Sequence, residues 1–374
     1  MSTTTFRDVL VDHPLLGQPL DRLPTPLPLV DLDQLDRNIT TMAAFFAPLP
    51  ASLRPHAKTH RAPAIARKQI AAGANGITCA KVGMAEAMVA GGIDDVFIAN
   101  QVVAPQAIAR LVRLAEDAKV TVAVDTAHNA ADLSAAAQAL GVTLNLVIEV
   151  DAGMGRCGVQ PGQPALALAG IISEFAGLQF AGLHAYEGHV VQDEDAGVRK
   201  RETEKMLDRT LDTAALIERN GIDVDTITCG GTGTYNISGV YPGVTEHQAG
   251  SYVYMDPGYV EKTPAFGLAF SILTTVVSRP TSEKVITDAG VQSLANDYGI
   301  PLVKGRPELT YAYLSEEHGT FLANDTPTSL AVGDQIQVHP GHCCSAANLH
   351  DAVFAIRDGV VAEVWAVTAR GKSQ

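Results

Sequence analysis

The sequence has few basic residues and no long apolar run. Its 27 Lys and Arg face 41 Asp and Glu, so the formal net charge is −14. Nucleic-acid binding needs a basic surface, and we therefore expect no nucleic-acid partner. Because no apolar stretch approaches membrane-spanning length, we expect no membrane partner either. The first residues lack a basic region followed by an apolar run, which predicts no signal peptide and a cytoplasmic location.

Cysteine is also scarce, with five residues in a chain of 374. An odd, scattered set argues against a disulfide framework and predicts reduced thiols. Disorder is not expected, since hydrophobic residues make up 47% and charged residues 18% of the composition. This balance is typical of a globular protein with a small-molecule substrate. The cysteines are Cys79, Cys157, Cys229, Cys343 and Cys344.

A dinucleotide-binding fingerprint is missing, because no G-x-G-x-x-G follows the first apolar run. Between residues 28 and 257, short β-branched runs instead alternate with Ala-rich segments of helical spacing. This alternation predicts parallel βαβ units, and about eight of them indicate a (β/α)8 barrel, with a doubly wound open sheet as the alternative. The predicted strands are 28–32, 52–56, 76–80, 95–99, 120–125, 144–151, 180–185, 226–231 and 251–256. The predicted helices are 62–73, 83–92, 105–118, 129–141, 164–176 and 201–221.

After residue 257 the pattern changes to short alternating runs separated by Gly, Pro and Asp. This pattern predicts an all-β C-terminal domain. We therefore predict three parts: an N-terminal segment, residues 1–26, that packs on the β domain; a barrel, residues 27–260; and the β domain, residues 261–374.

Polar clusters follow several predicted strands, at the edge where a barrel carries its catalytic groups. The segment "RPHAKTH" presents Lys58, and "EVDAGMGRCGV" presents Arg156. A lysine amine partly removed from water can form a Schiff base with a carbonyl compound, and an arginine can bind an anion. The alternative for both is an ordinary solvent-exposed loop. Two glycine-rich segments, "CGGTGTY" and "QAGSYVYMD", offer backbone N–H groups to a phosphate, or are simply tight turns.

The β domain contains a candidate metal pair, His342 and Cys344. On an extended segment, residues two apart point to one side, so imidazole and thiolate would face one cation. This donor pair favours zinc, with water or substrate completing the shell as in catalytic sites. The alternative is a buried Cys beside a hydrogen-bonded His. Cys343 is predicted to face the core, and His339 and His350 to be structural.

These segments, with "GITCAKVGMAEAMVAGGIDDVFIANQV", "GLHAYEGH" and "DAGVQSL", resemble the fold type III pyridoxal-phosphate enzymes over about residues 20–355. Within them, the order of motifs is similar to the metal-dependent group of D-threonine aldolase, D-serine dehydratase, and the 3-hydroxyaspartate aldolases and dehydratases. The resemblance implies an alanine-racemase-like barrel with a C-terminal β domain, pyridoxal 5′-phosphate, a divalent metal and a homodimer.

The resemblance also implies roles for individual residues. Lys58 would hold the cofactor covalently and act as the base at Cα, and Arg156 would lie near the phenolic oxygen of the cofactor. Tyr186 would line the pocket, and His342 and Cys344 would bind the metal. The residues implied in phosphate binding are Thr232, Gly233, Gly250, Ser251 and Tyr252.

The metal pair decides between the activities of the group. H-x-C resembles the D-serine and hydroxyaspartate dehydratases, where zinc is usual, whereas many aldolases carry H-x-D and prefer manganese or magnesium. We therefore expect a dehydratase that converts D-3-hydroxy amino acids into a 2-oxo acid and ammonia. The alternatives are an aldolase that releases glycine and an aldehyde, and an amino-acid racemase. A cofactor carrier and a metal hydrolase on a barrel are further alternatives.

Overall fold

The computed structural model describes residues 8–323 and 328–374. Internal contacts divide the chain into two units. The barrel unit comprises Met42–Lys58, Ile65–Gly250 and Lys372–Gln374. The β unit comprises the described residues up to Thr41, Thr59–Ala64, and Ser251–Gly371. The domain limits at residues 26 and 260 stay a prediction. No helix in the described ranges is long and apolar enough to cross a membrane.

The first strand forms where it is expected but in the β unit, which corrects its assignment to the barrel. β1 (Leu27–Asp31) pairs antiparallel with Phe270–Ser278 and parallel with Ala352–Arg357. The chain then continues into α1 (Leu32–Phe46), a helix that the repeat pattern does not predict. The local pattern of a buried strand is the same in both sheets, so only the partners distinguish them.

The barrel unit contains eight parallel strands. They are β2 (Ser52–Leu53), β3 (Ile77–Cys79), β4 (Asp95–Gln101), β5 (Lys119–Val124), β6 (Leu144–Glu149), β7 (Leu178–His184), β8 (Thr226–Cys229) and β9 (Glu246–His247). Their order in the sheet is β2-β9-β8-β7-β6-β5-β4-β3. A parallel bridge between His56, just after β2, and Thr78 in β3 joins the two ends of this order and closes the barrel. The (β/α)8 prediction is thereby confirmed.

The predicted helices form between these strands. They are α2 (Pro63–Ala71), α3 (Val82–Ala90), α4 (Pro105–Leu114), α5 (Ala127–Leu140), α6 (Gln163–Glu174) and α7 (Ala196–Arg219), followed by the short α8 (Tyr235–Ser238). Local caps fix their ends: Thr126 accepts the Asn129 N–H at the start of α5, and Gly141 ends it in a left-handed conformation.

One predicted strand is wrong. Residues 251–256 do not extend; Ser251–Val253 is a 3-10 helix, and the Met255 N–H donates to the Ser251 carbonyl at 2.6 Å. Tyr252, Val253, Tyr254 and Met255 are all fully buried. Successive buried side chains suit a turn through the interior, whereas a strand would send alternate residues to opposite faces. The remaining barrel strand is the two-residue β9.

A buried arginine, Arg54, pairs with carboxylates at the starts of β4 and β9. The Arg54 guanidinium, 8% exposed, donates to Asp95 and to Glu246 at 2.6 Å each. Since Arg54 directly follows β2, and Glu246 begins β9, the pair holds these two short strands together. A buried charge of this kind is tolerated because both of its partners are present.

A substitution of Gly182 in β7 tests the pairing of β7 with β8. Its φ is +146°, and a Cβ built there would lie 1.9 Å from the Thr226 carbonyl oxygen of the neighbouring β8. Gly182→Ala should therefore lower the free energy of unfolding by about 3 kcal/mol or more, measured by urea denaturation.

The control is Gly170→Ala, in the middle of α6, where a Cβ meets nothing within 4 Å. We expect this variant to gain up to about 1 kcal/mol, because alanine is the better helix former. Equal urea midpoints for Gly182→Ala and the wild type would contradict the register of β7 on β8.

The β unit has a nine-stranded, mostly antiparallel sheet. Besides β1, its strands are β10 (Phe270–Ser278), β11 (Lys284–Thr287), β12 (Leu302–Val303), β13 (Leu309–Leu314), β14 (Gly319–Ala323), β15 (Gln335–His339), β16 (Ala352–Arg357) and β17 (Val360–Ala366). Seven of them follow the order β13-β14-β11-β10-β1-β16-β17; β15 also pairs with β10, and β12 pairs with β15. Two short helices interrupt it, α9 (Val291–Leu294) and α10 (Cys343–Ala347). The predicted C-terminal β domain is confirmed, and α10 carries one member of the metal pair.

Candidate active site

Two cations lie near the ring of Tyr186 in the barrel unit. The Lys58 Nζ is 5.9 Å from the ring centroid, and the Arg156 Cζ is 5.6 Å from the same centroid. Lys58 follows β2, Arg156 lies in the loop after β6, and Tyr186 comes just after β7. Three residues from distant parts of the sequence therefore meet at the carboxyl ends of the strands, the edge where barrels carry catalytic groups.

Glu149 holds the arginine in place. Its carboxylate is 4% exposed, at the end of β6. One oxygen accepts from the Arg156 guanidinium at 3.2 Å, and the other accepts from the Gln101 amide at 2.6 Å. The loop itself is ordered by Asp151, whose carboxylate accepts the N–H groups of Gly153 and Gly155. The guanidinium is thus oriented before any anion arrives.

His184 lies beside this pair as a neutral imidazole. Burial lowers the pKa of His184 to about 4; the nearby Glu149 carboxylate opposes this effect and Arg156 adds to it. Its Nδ1 is 4.0 Å from a Glu149 oxygen and has no hydrogen-bond partner among the described residues. Near neutral pH, His184 therefore adds no positive charge to the site.

The glycine-rich turn after β8 has little room for side chains at Gly230 and Gly231. A Cβ on Gly230 would lie 2.1 Å from the His247 ring, and a Cβ on Gly231 would come within 3.5 Å of Val191 and Tyr186. Only glycine leaves the backbone accessible here. Thr232 and Gly233 begin a 3-10 helix, whose first N–H groups are suited to bind an anion. Together with the two cations at Tyr186, these residues fit pyridoxal 5′-phosphate.

The second glycine segment follows β9, the strand next to β8. Gly250 is the last residue of the barrel unit before the turn Ser251–Val253. Tyr252 is fully buried, and its ring packs against Phe266 with centroids 5.7 Å apart. The backbone of this segment, rather than the tyrosine ring, is therefore the part suited to a phosphate.

The metal pair lies in the β unit at the start of α10. His342 is the cap residue of this helix, and Cys344 lies in its first turn. The prediction that both are on an extended segment is wrong, because the chain turns into the helix between them. Cys343 is fully buried, and its Sγ is bonded to the Met255 carbonyl, as expected for a core residue.

A carboxylate orients the imidazole. Asp297 contacts His342 Nδ1 at 2.5 Å and accepts from the Ser345 hydroxyl at 2.7 Å. Burial opposes a charge on this ring, but the Cys344 hydrogen bond and charge, with Asp256 and Asp297, outweigh it and raise the pKa of His342 to about 9. A carboxylate on one ring nitrogen is the usual support for a metal-binding histidine.

The other ring nitrogen of His342 also has a polar partner. Nε2 is 3.0 Å from the Tyr298 hydroxyl, and the two rings stack with centroids 4.1 Å apart. Imidazole and thiolate are the donors that zinc prefers. In the described parts of the chain, no three His, Cys, Asp or Glu side chains form a metal-binding group. His342 and Cys344 therefore stay a candidate pair, and a metal held by them would need water or substrate as further ligands.

Several supporting residues are not identified by the sequence analysis. Asp297 and Tyr298 precede His342 by more than forty residues, and no spacing pattern marks them. Glu149 and Glu187 lie inside the quoted motifs, so a search for buried carboxylates at strand ends would have found them. The remaining expectations agree with the structure: all five cysteines are free, and His339 and His350 each contact a backbone carbonyl.

Two family models match the chain. The model described as "Alanine racemase, N-terminal domain" matches residues 30–257. The model described as "Putative serine dehydratase domain" matches residues 269–356. The two matches follow each other in sequence and together cover most of the chain.

Three curated relatives match almost the whole length. The chain is 39% identical to D-threonine aldolase from an Arthrobacter species, over 100% of both chains. It is 36% identical to 3-hydroxy-D-aspartate aldolase from Paracoccus denitrificans strain Pd 1222, over 98% of this chain and 97% of the relative. It is 27% identical to D-threo-3-hydroxyaspartate dehydratase from Delftia sp. strain HT23, over 92% of this chain and 97% of the relative.

A solved structure agrees with these matches. The D-threonine aldolase of Filomicrobium marinum superposes with a TM-score of 0.93 at 38% identity, over 96% of this chain and 99% of that one. The likeness extends over both units, each of which also matches its own family model. The chain belongs to the alanine racemase-like family of fold type III pyridoxal-phosphate enzymes.

Proposed function

We propose that the protein is a pyridoxal-phosphate-dependent aldolase that cleaves D-3-hydroxy amino acids into glycine and an aldehyde. The observation that carries this proposal is the full-length similarity to two aldolases, which exceeds the similarity to the dehydratase. It reverses the preference for dehydration that the H-x-C pair alone suggests. Whether it catalyses aldol cleavage or dehydration, the chain is a lyase.

The barrel unit supplies the residues that would hold the cofactor. Lys58 would bind it covalently, Arg156 would face its phenolic oxygen, and Tyr186 would contact its ring. The backbones of Thr232, Gly233, Gly250, Ser251 and Tyr252 would bind its phosphate. When bound, pyridoxal phosphate withdraws electrons from the bonds at the substrate Cα.

The chain's own groups would then move the protons. In the cleavage direction, the β-hydroxyl proton must leave as the Cα–Cβ bond breaks, and Cα must receive a proton to become glycine. The Lys58 amine is the group that we assign to the proton at Cα. His342 and Cys344 would hold a divalent ion, which lowers the pKa of a bound hydroxyl.

Within the β unit, the Cys344 thiol contacts the residue that follows Lys58 in sequence. The Cys344 Sγ is 3.4 Å from the Thr59 hydroxyl, and Thr59 is the residue that follows Lys58 in the chain. Zinc as the metal, a homodimer and a cytoplasmic location stay predictions.

Product analysis tests the function directly. With D-threonine as substrate, we expect glycine and acetaldehyde in equal amounts, measured by amino-acid analysis and an alcohol-dehydrogenase assay. L-Threonine is the control and should give neither product. The dehydratase alternative predicts 2-oxobutyrate and ammonia instead, and a racemase predicts L-threonine. Either of these outcomes would contradict the proposal.

A further inference from the structure

A buried carboxyl is bonded to the turn that is proposed to bind the phosphate. Glu187 is fully buried, immediately after Tyr186 in the chain. One of its oxygens accepts from the Thr234 hydroxyl at 2.7 Å, and the other accepts from the Gly230 N–H at 3.2 Å. Gly230 and Thr234 are the two ends of the turn that contains Thr232 and Gly233. A single carboxyl therefore fixes both ends.

Hydrogen bonds continue from this turn to the second glycine segment. The Ser238 hydroxyl donates to the Thr234 carbonyl at 3.0 Å, and the His247 Nε2 is 3.1 Å from the same hydroxyl. The Ala249 N–H donates to the His247 Nδ1 at 3.2 Å. Since Nδ1 accepts and Ser238 already donates, His247 Nε2 must carry the proton. The chain of bonds thus ends one residue before Gly250.

The partners of Glu187 in this network are uncharged. Burial lowers the pKa of His247 to about 3, so its ring is neutral. Burial also raises the pKa of Glu187, and its hydrogen bonds with Thr234 and Gly230 oppose this effect. These two partners are a neutral hydroxyl and a neutral amide. The network therefore fixes the backbone that would bind an anion.

We propose that Glu187 is a positioning residue for the cofactor phosphate. It holds Gly230 and Thr234, and through Thr234, Ser238 and His247 it fixes the backbone that leads into Gly250. Both segments proposed to bind the phosphate are then kept in one arrangement. This inference rests on the proposed phosphate contacts, and it adds a residue that itself touches neither substrate nor cofactor.

The test compares binding of pyridoxal 5′-phosphate with binding of pyridoxal, which lacks the phosphate. Glu187→Gln keeps the shape of the side chain, but its amide group cannot accept both hydrogen bonds. We expect this variant of the full-length chain, freed of cofactor with hydroxylamine, to bind pyridoxal phosphate about tenfold more weakly. Binding of pyridoxal should be unchanged, because pyridoxal does not use the turn. Equilibrium dialysis measures both dissociation constants.

A second variant and a control complete the experiment. Thr234→Val removes the hydroxyl that bonds Glu187 and should show the same selective loss. Ser134→Ala removes a buried hydroxyl bonded to the Ala176 carbonyl in another part of the barrel unit, and both affinities should stay at the wild-type values.

The possible results separate the inference from the function on which it rests. If the wild type binds the two compounds equally, the proposed phosphate site fails, and the role of Glu187 fails with it. If the wild type prefers pyridoxal phosphate, and both variants keep this preference, only the role of Glu187 is overturned. Equal weakening of both compounds would make Glu187 a general stability residue and would also overturn the inference.

Discussion

Lys58→Ala should reduce lyase activity by at least about a thousandfold, the largest effect that we expect from any single substitution. The variant loses the amine that binds the cofactor covalently and the group assigned to the proton at Cα. The Lys58 Nζ lies 5.9 Å from the Tyr186 ring centroid, at the edge that also presents Arg156. Its loss should leave the fold intact, because the buried ion pairs of Arg54 with Asp95 and Glu246 do not involve Lys58.

Covalent attachment is measured separately from activity. After borohydride reduction, intact-mass analysis should show the wild type carrying one reduced cofactor and Lys58→Ala carrying none. Lys68→Ala, on α2, is the matched control and should be labelled and active like the wild type. Full turnover by Lys58→Ala, or labelling of another lysine, would refute the assignment of this amine.

The barrel and its catalytic edge follow from local patterns in the sequence. Apolar strands alternate with amphipathic helices, and polar groups come directly after the strands. The rule that parallel strands present their carboxyl ends on one edge then brings Lys58 and Arg156 together without any coordinates. Tyr186 could be identified only through the resemblance, since nothing in its local sequence distinguishes a pocket tyrosine from a core one.

The errors arise where partners are distant in sequence. β1 has the pattern of any buried strand, and its place in the β unit depends on residues more than 200 positions later. The failed strand at 251–256 contains alternating small and aromatic residues, yet all four residues from Tyr252 to Met255 are buried. Asp297 reaches His342 from a separate segment. Tertiary contacts decide these three features, and no short-range period reports them.

The choice between dehydration and aldol cleavage shows a different limit of prediction from a sequence motif. The H-x-C pair indicates which metal is preferred, because thiolate favours zinc over harder ions. It does not determine which bond breaks, since a metal held there would act on the same β-hydroxyl in both reactions. That choice depends on which substrate bond is held perpendicular to the cofactor ring. Residues on all sides of the pocket set this orientation, so whole-chain similarity is a better guide than one ligand.

The second large effect concerns the metal. His342→Ala and Cys344→Ala should each lose the bound divalent ion and at least about a hundredfold in activity, while the cofactor stays covalently attached. Metal content is measured by mass spectrometry of the dialysed protein, and cofactor content by absorbance. Prolonged treatment with EDTA should reproduce the loss in the wild type, and added zinc should reverse it there but not in the variants.

Cys343→Ser provides the matched control, because it changes the neighbouring thiol, which faces the Met255 carbonyl in the core. It should keep both metal and activity. The separation of effects follows from the chain's own arrangement. Lys58 and Arg156 both lie near the Tyr186 ring, whereas Asp297, Ser345 and Tyr298 contact His342. If either alanine variant retained full metal content, His342 and Cys344 would not be the ligands. If the metal were lost with no change in turnover, the ion would be structural, and another group would have to lower the pKa of the β-hydroxyl.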